Sequence, residues 1–327
     1  MAMLAEPPLL EVRDLQTHVF TKRGVGKAVA GASFSLRAGE TLGLVGESGS
    51  GKSLACFSVL GLNPKPASRI VGGQILFKGD DLVKKSEREL RAYRGGRIAL
   101  VLQDPMTALN PVFTVGNQIR EAVRLHQKLS RWAQHRQTVN LLERVHIQNA
   151  DTDVFAYPHQ FSGGMRQRVV SAIALAGKPE LLIADEPTTA LDVTVQAAYL
   201  SLLKEIQAAE GLGIVFVTHD FAVVARICDR VAVMYAGKVV ESTSTVELFR
   251  APKHPYTEAL LKSVIDVSHR PSRLYSIDGN PPSIFSATKG CSFAPRCIHA
   301  NAKCHNEAPP TVSTGPRNSV SCWRYVS

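Results

Sequence analysis

Three short, apolar, strand-like runs stand out along the chain: TLGLV at 41–45, ELLIA at 180–184 and GIVFV at 213–217. Each is followed by a polar loop and then by residues with helical spacing. Unbroken apolar runs of this length suit strands buried on both faces of a parallel sheet. Strand, loop and helix in alternation predict an α/β domain with helices covering both faces. Two other segments read differently. Residues 9–37 and 69–102 carry shorter alternating patterns and turns such as KGDD, and predict a small antiparallel β region beside the main sheet. From about 114 to 157 the period is helical, as in VGNQIREAVRLHQ and RQTVNLLERVHI. After 251 Pro and Cys rise and APKHPYTEALLKSV leads into a loop-rich tail, which places a boundary near 250: one domain over 1–250 and a second over 251–327. No internal repeat is evident.

With 327 residues, 45% of them hydrophobic, the chain can bury a large core and a smaller one. No apolar run reaches the roughly 18–20 residues that span a bilayer. The opening MAMLAEPPLLEVRDL lacks the basic and apolar regions of a signal peptide. The expectation is a cytoplasmic chain whose membrane contact comes through a partner. The formal net charge of +10 is spread along the chain rather than gathered in one run, which fits a solvated surface near anionic lipid and nucleotide.

The chemistry begins at Gly46. GESGSGKS (Gly46, Glu47, Ser48, Gly49, Ser50, Gly51, Lys52, Ser53) follows the run TLGLV directly and fits G-x-x-x-x-G-K-S. Its glycines let successive backbone N–H groups point at phosphates, and the following helix adds its positive end. Lys52 is expected to neutralise the β- and γ-phosphates of ATP, and the Ser53 hydroxyl to bind Mg²⁺. In LLIADEP an apolar strand delivers Asp185 and Glu186 at its C-terminal end, where open α/β sheets bind ligands. Downstream of a P-loop, Asp185 suits Mg²⁺ and Glu186 suits a general base acting on water. A third element, FSGGMRQRVVSAIALAG, opens with Ser162-Gly163-Gly164-Met165 and runs into a helix. Ser162 is a good N-cap and the glycines leave N–H groups exposed. One ATP needs one cradle, so this second device implies nucleotide shared between two protomers.

Together these residues resemble the ATP-binding cassette (ABC) family. GESGSGKS resembles its Walker A, LLIADE its Walker B and FSGGM its LSGGQ signature; Gln103 in LVLQDP resembles the Q-loop, ALD with Asp192 the D-loop, and His219 in VTHD the switch histidine. The resemblance implies a P-loop NTPase fold: a RecA-like core, an antiparallel β subdomain and a helical subdomain at about 106–165. It implies that Gln103 contacts Mg²⁺ and the attacking water, that His219 binds the γ-phosphate and positions Glu186, and that Asp192 and the signature reach across a cassette dimer. Two positions depart from the commonest pattern. Met165 stands where Gln is usual, as it does in the peptide-importer subgroup. The aromatic residue that stacks on adenine is expected from the first strand, where Phe20 and His18 are both candidates.

Of six cysteines, Cys56 and Cys228 sit singly in apolar context and read as buried small residues, while Cys291, Cys297, Cys304 and Cys322 crowd the tail. Four thiolates can hold Zn²⁺ or an iron–sulfur cluster, and the wide spacing lacks the close pairs usual for structural zinc. His299 and His305 lie within the set. GCSFAPRCIHANAKC and HPYTEALLKSV resemble the C-terminal region of dipeptide and oligopeptide importer ATPases, which implies a [4Fe–4S] cluster on these cysteines and a small Cys-rich domain. The whole then resembles the ATPase subunit of a peptide importer on the cytoplasmic face of the inner membrane. That implies two permease subunits, a second cassette or a second copy, an external solute-binding protein, and no nucleic acid. Importers of nickel, glutathione or antimicrobial peptides are the neighbouring alternatives, and a non-transport ABC ATPase is the more distant one.

Overall fold

The computed structural model describes residues 7–263, 275–286 and 289–326. Met1–Glu6, and Val264 at the end of the HPYTEALLKSV stretch, lie outside the described residues. The chain forms two compact units. One holds residues 1–9, 36–41 and 84–217, and the other 10–35, 42–83 and 218–327.

In the first unit three strands, Ile98–Val101, Leu181–Asp185 and Gly213–Thr218, run parallel in register, with Ile98 opposite Leu181 and Leu181 opposite Gly213. The two apolar runs expected as buried strands are here, and every residue of the strands Leu181–Asp185 and Gly213–Thr218 is buried, as a strand covered on both faces requires; Glu180, at the start of the expected run, lies before its strand and is half-buried. The helical stretch is also as the period predicts. Helix Val115–His126 buries Val115, Ile119 and Val123, one face at intervals of four. It starts at Thr114, whose hydroxyl accepts from Asn117 N, and the next helix, Arg131–Arg144, starts at Ser130 in the same way.

The second unit contains the antiparallel sheet, in the order Gly24–Leu36, Leu10–Thr21, Ser68–Phe77, Asp80–Asp81. The expectation that this β region runs to 102 is corrected. Ser86 caps helix Glu87–Tyr93 through a capping box with Glu89, and Ile98–Val101 pairs in parallel with Leu181–Asp185. The apolar run IALV at 98–101 does not state the direction of its strand; only its partner decides that.

Thr41–Val45, buried throughout, lies parallel to Arg230–Tyr235, which continues antiparallel into Lys238–Ser244. The tail adds to this edge: Val320 of Asn318–Val320 pairs with Glu241 and is fully buried. Cys56 and Cys228 are buried as expected, with Cys228 Sγ packed where a side chain at Gly43 would stand. Among the described residues no helix is long and apolar enough to cross a membrane.

Candidate functional site

The P-loop is a strand, a turn and a helix, as its sequence predicts. Thr41–Val45 ends at Gly46 and helix Lys52–Leu60 begins six residues later. Gly51 caps that helix at φ 101°, and a Cβ there would stand 2.4 Å from the Ala28 carbonyl oxygen. Only glycine fits both the left-handed backbone and the gap. The loop is pinned from outside by Gly237 N, which donates to Ser50 O at 2.9 Å. Inside it, the buried Lys52 ammonium donates to Gly46 O at 2.7 Å and Glu47 O at 3.0 Å. Ser53 follows in the first turn. That turn holds no acidic residue of its own, which suits the positive N-terminal end of a helix to phosphate.

A cleft of about 230 Å³ opens beside the loop, with Glu47, Ser48, Gly49 and Ser50 on one side and His18, Lys27, Tyr235 and Ile284 among its other lining residues. Of the two aromatic candidates, His18 lines this cleft. Phe20 is not among the lining residues; its ring lies 4.1 Å beneath the Arg69 guanidinium. Burial, and secondarily the Lys27 charge, hold the His18 imidazole below its ordinary pKa, so it presents a neutral ring. His219 is exposed directly after strand Gly213–Thr218, ahead of the helix capped by Asp220.

In the first unit, Asp185 closes its strand at 6% exposure, and Glu186 leaves the strand at φ 47°, a strained conformation for a side-chain-bearing residue. The Glu186 N–H donates to Val217 O at 3.0 Å, and its Oε2 accepts from Gln103 Nε2 at 3.3 Å and Thr189 Oγ1 at 3.1 Å. Parallel register explains the meeting. Val101 is opposite Ala184, and Gln103 and Glu186 each lie two residues further on. A half-buried carboxylate next to a buried one, oriented by an amide and a hydroxyl, is the kind of group that acts as a general base.

The signature forms as a capped helix. Ser162 Oγ accepts from Met165 N at 3.3 Å to open helix Gly163–Leu175, whose first turn has no acidic residue. Gly163 faces open space. At Gly164 a Cβ would lie 2.3 Å from Val195 Cγ1, so the glycine permits close approach of helix Val193–Glu210. Ser162, Gly164 and Met165 border an open cleft of about 770 Å³. Asp192 caps the facing helix, its Oδ1 accepting from Thr194 N and Val195 N.

In the tail, Cys291, Cys297, Cys304 and Cys322 all line one cavity of about 90 Å³, together with His254 and His299. His305 is not among its lining residues. Burial raises the thiol pKa of Cys291, Cys297 and Cys322. Among the described residues no three His, Cys, Asp or Glu side chains converge closely enough to hold a metal ion. His254 opens the HPYTEALLKSV stretch and Arg296 lies within GCSFAPRC, but the sequence assigned no role to either of them or to Glu241. His254 is buried, its imidazole pushed down to about 4 by desolvation, and its Nδ1 caps helix Pro255–Lys262 at Tyr256 N. The buried Glu241 carboxylate accepts from Lys253 N and His254 N. Their partners lie far along the chain or on the backbone, so spacing carries no trace of them.

Comparison with known proteins agrees with this geometry. The family described as ABC transporter matches residues 29–189, and the family described as oligopeptide/dipeptide transporter, C-terminal region, matches residues 240–304. The chain is 49% identical, over 97% of its length and 95% of the relative's, to a protein of Sinorhizobium fredii named probable peptide ABC transporter ATP-binding protein y4tR. It is 46% identical, over 96% of its length and 94% of the relative's, to the dipeptide transport ATP-binding protein DppD of Bacillus subtilis. A solved structure of the ATP-binding cassette MJ0796, dimeric and bound to ADP and Pi, shares the fold at a TM-score of 0.65, with 24% identity, covering 72% of this chain and 98% of the other. The chain belongs to the ABC transporter ATP-binding proteins of the oligopeptide and dipeptide group, and is an ATPase of that class.

Proposed function

We propose that this chain is the ATPase subunit of an ABC importer for dipeptides or oligopeptides. The observation that carries the hydrolytic part is the Glu186 carboxylate held by Gln103 and Thr189 at the end of a buried strand. The end-to-end similarity to peptide-transport ATP-binding proteins supports the transport part.

The N–H groups of Gly46, Glu47, Ser48, Gly49, Ser50 and Gly51, with Lys52, bind the β- and γ-phosphates. Ser53, Asp185 and Gln103 offer the oxygen ligands that suit Mg²⁺, which neutralises phosphate charge when bound. Glu186 takes a proton from water as its oxygen attacks the γ-phosphorus. The bond to the β–γ bridging oxygen breaks, leaving ADP and phosphate. His219 holds the γ-phosphate. His18, or Phe20 if the first strand shifts, packs on the base. Ser162, Gly163, Gly164 and Met165 serve a nucleotide held by a second cassette, either a related subunit or another copy, and Asp192 contacts that cassette.

Two permease subunits carry the chain to the cytoplasmic face of the inner membrane, and an external solute-binding protein acts through them. The exposed apolar side chains of Met106, Val112, Phe113 and Phe155, in the stretch that follows Gln103, support a protein interface there. Gly116 N donates to Val154 O, which keeps the Phe113 and Phe155 ends of that stretch together. Residues 1–250 act as the cassette, with the helical subdomain at 106–165, and 251–327 as a small Cys-rich domain. A [4Fe–4S] cluster on Cys291, Cys297, Cys304 and Cys322 belongs to the same reading. The shared cavity supports it, and it requires the four thiols to ionise and draw together on binding. Iron and acid-labile sulfide in protein purified without oxygen test it; their absence sinks the cluster alone.

The reading as a whole is tested by affinity purification of a tagged copy from solubilised membranes. Two polytopic permease subunits should accompany it, and deletion of the gene should abolish uptake of labelled peptides. Recovery of the chain with no permease, or unimpaired uptake, overturns it.

A further inference from the structure

The P-loop pattern asks nothing of the side chain at its second position, yet Glu47 places a carboxylate there. A negative charge beside a triphosphate cradle opposes binding unless something neutralises it. Arg296 does so from the tail. Its Nη1 donates to Glu47 Oε2 at 2.7 Å and its Nη2 to Glu47 Oε1 at 3.0 Å, the two-pronged geometry of the strongest ion pairs. The Arg296 side chain is only 4% exposed. Its Nε donates to Asp278 O at 3.0 Å, and the guanidinium lies about 6 Å from the Tyr235 and Phe293 ring centres. The pairing holds the guanidinium pKa above its ordinary value.

The backbone of the same loop residue is also fixed. Glu47 N donates to the buried Tyr256 hydroxyl at 2.8 Å, and Tyr256 packs on Tyr235 at 4.5 Å between ring centres. A second part of the tail reaches the same cleft. Lys27 N donates to Ile284 O at 2.8 Å, and Ile284 lines the same cleft as the loop.

We propose that Arg296 is a positioning residue of the nucleotide site. By holding and neutralising Glu47 it keeps the P-loop N–H groups presented to the phosphates, so the C-terminal segment sets nucleotide affinity. This rests on the reading of residues 46–53 as the phosphate cradle. Removing Arg296 leaves the partly buried Glu47 carboxylate without its guanidinium beside the cradle, whereas removing both partners leaves no charge to repel phosphate.

The test uses the full chain and four variants, Arg296→Gln, Arg296→Lys, Glu47→Gln and Glu47→Gln/Arg296→Gln. Kd for ATP and for inorganic tripolyphosphate is measured by calorimetry, KM and kcat by phosphate release, and Tm without nucleotide. Arg296→Gln should raise both Kd values and KM about tenfold while kcat at saturating ATP stays within about twofold. Arg296→Lys, which keeps charge and loses the fork, should fall between it and the wild type. The double variant should recover most of the lost affinity. A lower Tm for Arg296→Gln or Arg296→Lys with unchanged Kd makes the pair a staple for the tail and overturns the proposal, as does a double variant no better than Arg296→Gln. Lys52→Ala in the same assay separates the levels. If it binds ATP as well as the wild type, the cradle reading itself fails; if it loses binding while the Arg296 variants keep theirs, only this proposal fails.

Discussion

Gln103 Nε2 donates to Glu186 Oε2 at 3.3 Å across 83 positions of sequence. The two residues leave adjacent parallel strands at the same level, so the Gln103 amide is bonded to the carboxylate proposed above as the base. Glu186→Gln should lower kcat about 10²–10⁴-fold while ATP binding persists. An ATP-dependent shift to dimer in size-exclusion chromatography is the expected companion. Turnover at the wild-type rate would assign the base elsewhere.

The signature helix should tolerate no side chain at its second glycine. A Cβ at Gly164 would stand 2.3 Å from Val195 Cγ1 but 3.7 Å from Val195 Cβ. Gly164→Ala should therefore destabilise by about 1–3 kcal/mol, the cost of overpacking. Val195→Ala removes the colliding methyl, so the double variant should melt higher than Gly164→Ala alone. Urea unfolding of the three variants checks this, and equal midpoints for the single and double variants would exclude the clash.

The base contact distinguishes two neighbouring residues. His18 lines the cleft beside the P-loop and Phe20 lies under Arg69. His18→Ala should weaken ATP about tenfold and leave tripolyphosphate unchanged, because stacking acts on the base alone. Phe20→Ala should change neither by more than about twofold. The reverse pattern, read by calorimetry, would return the adenine contact to Phe20.

Acid should loosen the tail through His254. Its pKa falls from 6.5 to about 4 in the fold because burial penalises the charged ring. A depressed value means the unfolded chain takes the proton first. Stability present above pH 6.5 is thus lost as the pH falls toward 4, by about 3 kcal/mol at most. Glu241 acts in the opposite sense: burial raises its pKa, so its contribution is greatest when protonated and falls as pH rises through the folded value. His254→Asn keeps an N-cap acceptor and removes the titration. Its unfolding midpoint should vary less between pH 7 and pH 5 than that of the wild type; an equal pH dependence would remove His254 from the account.

The chemistry of nucleotide binding was legible because it is local. Gly46–Ser53, Asp185-Glu186 and Ser162–Met165 each lie within one turn or at one strand end, so residue type and spacing state their local geometry directly. The burial of TLGLV and GIVFV and the cap at Ser162 followed from the same short-range rules. Tertiary structure decided what depends on partners. It turned 98–101 from an antiparallel strand into a parallel one, because strand direction is a property of a pair. It put His18 rather than Phe20 in the cleft, since alternation along a strand names a face and not what that face meets. It also joined Arg296 to Glu47 across 249 positions, where a guanidinium enclosed by the fold is paired with a partly buried carboxylate that only the fold brings to it.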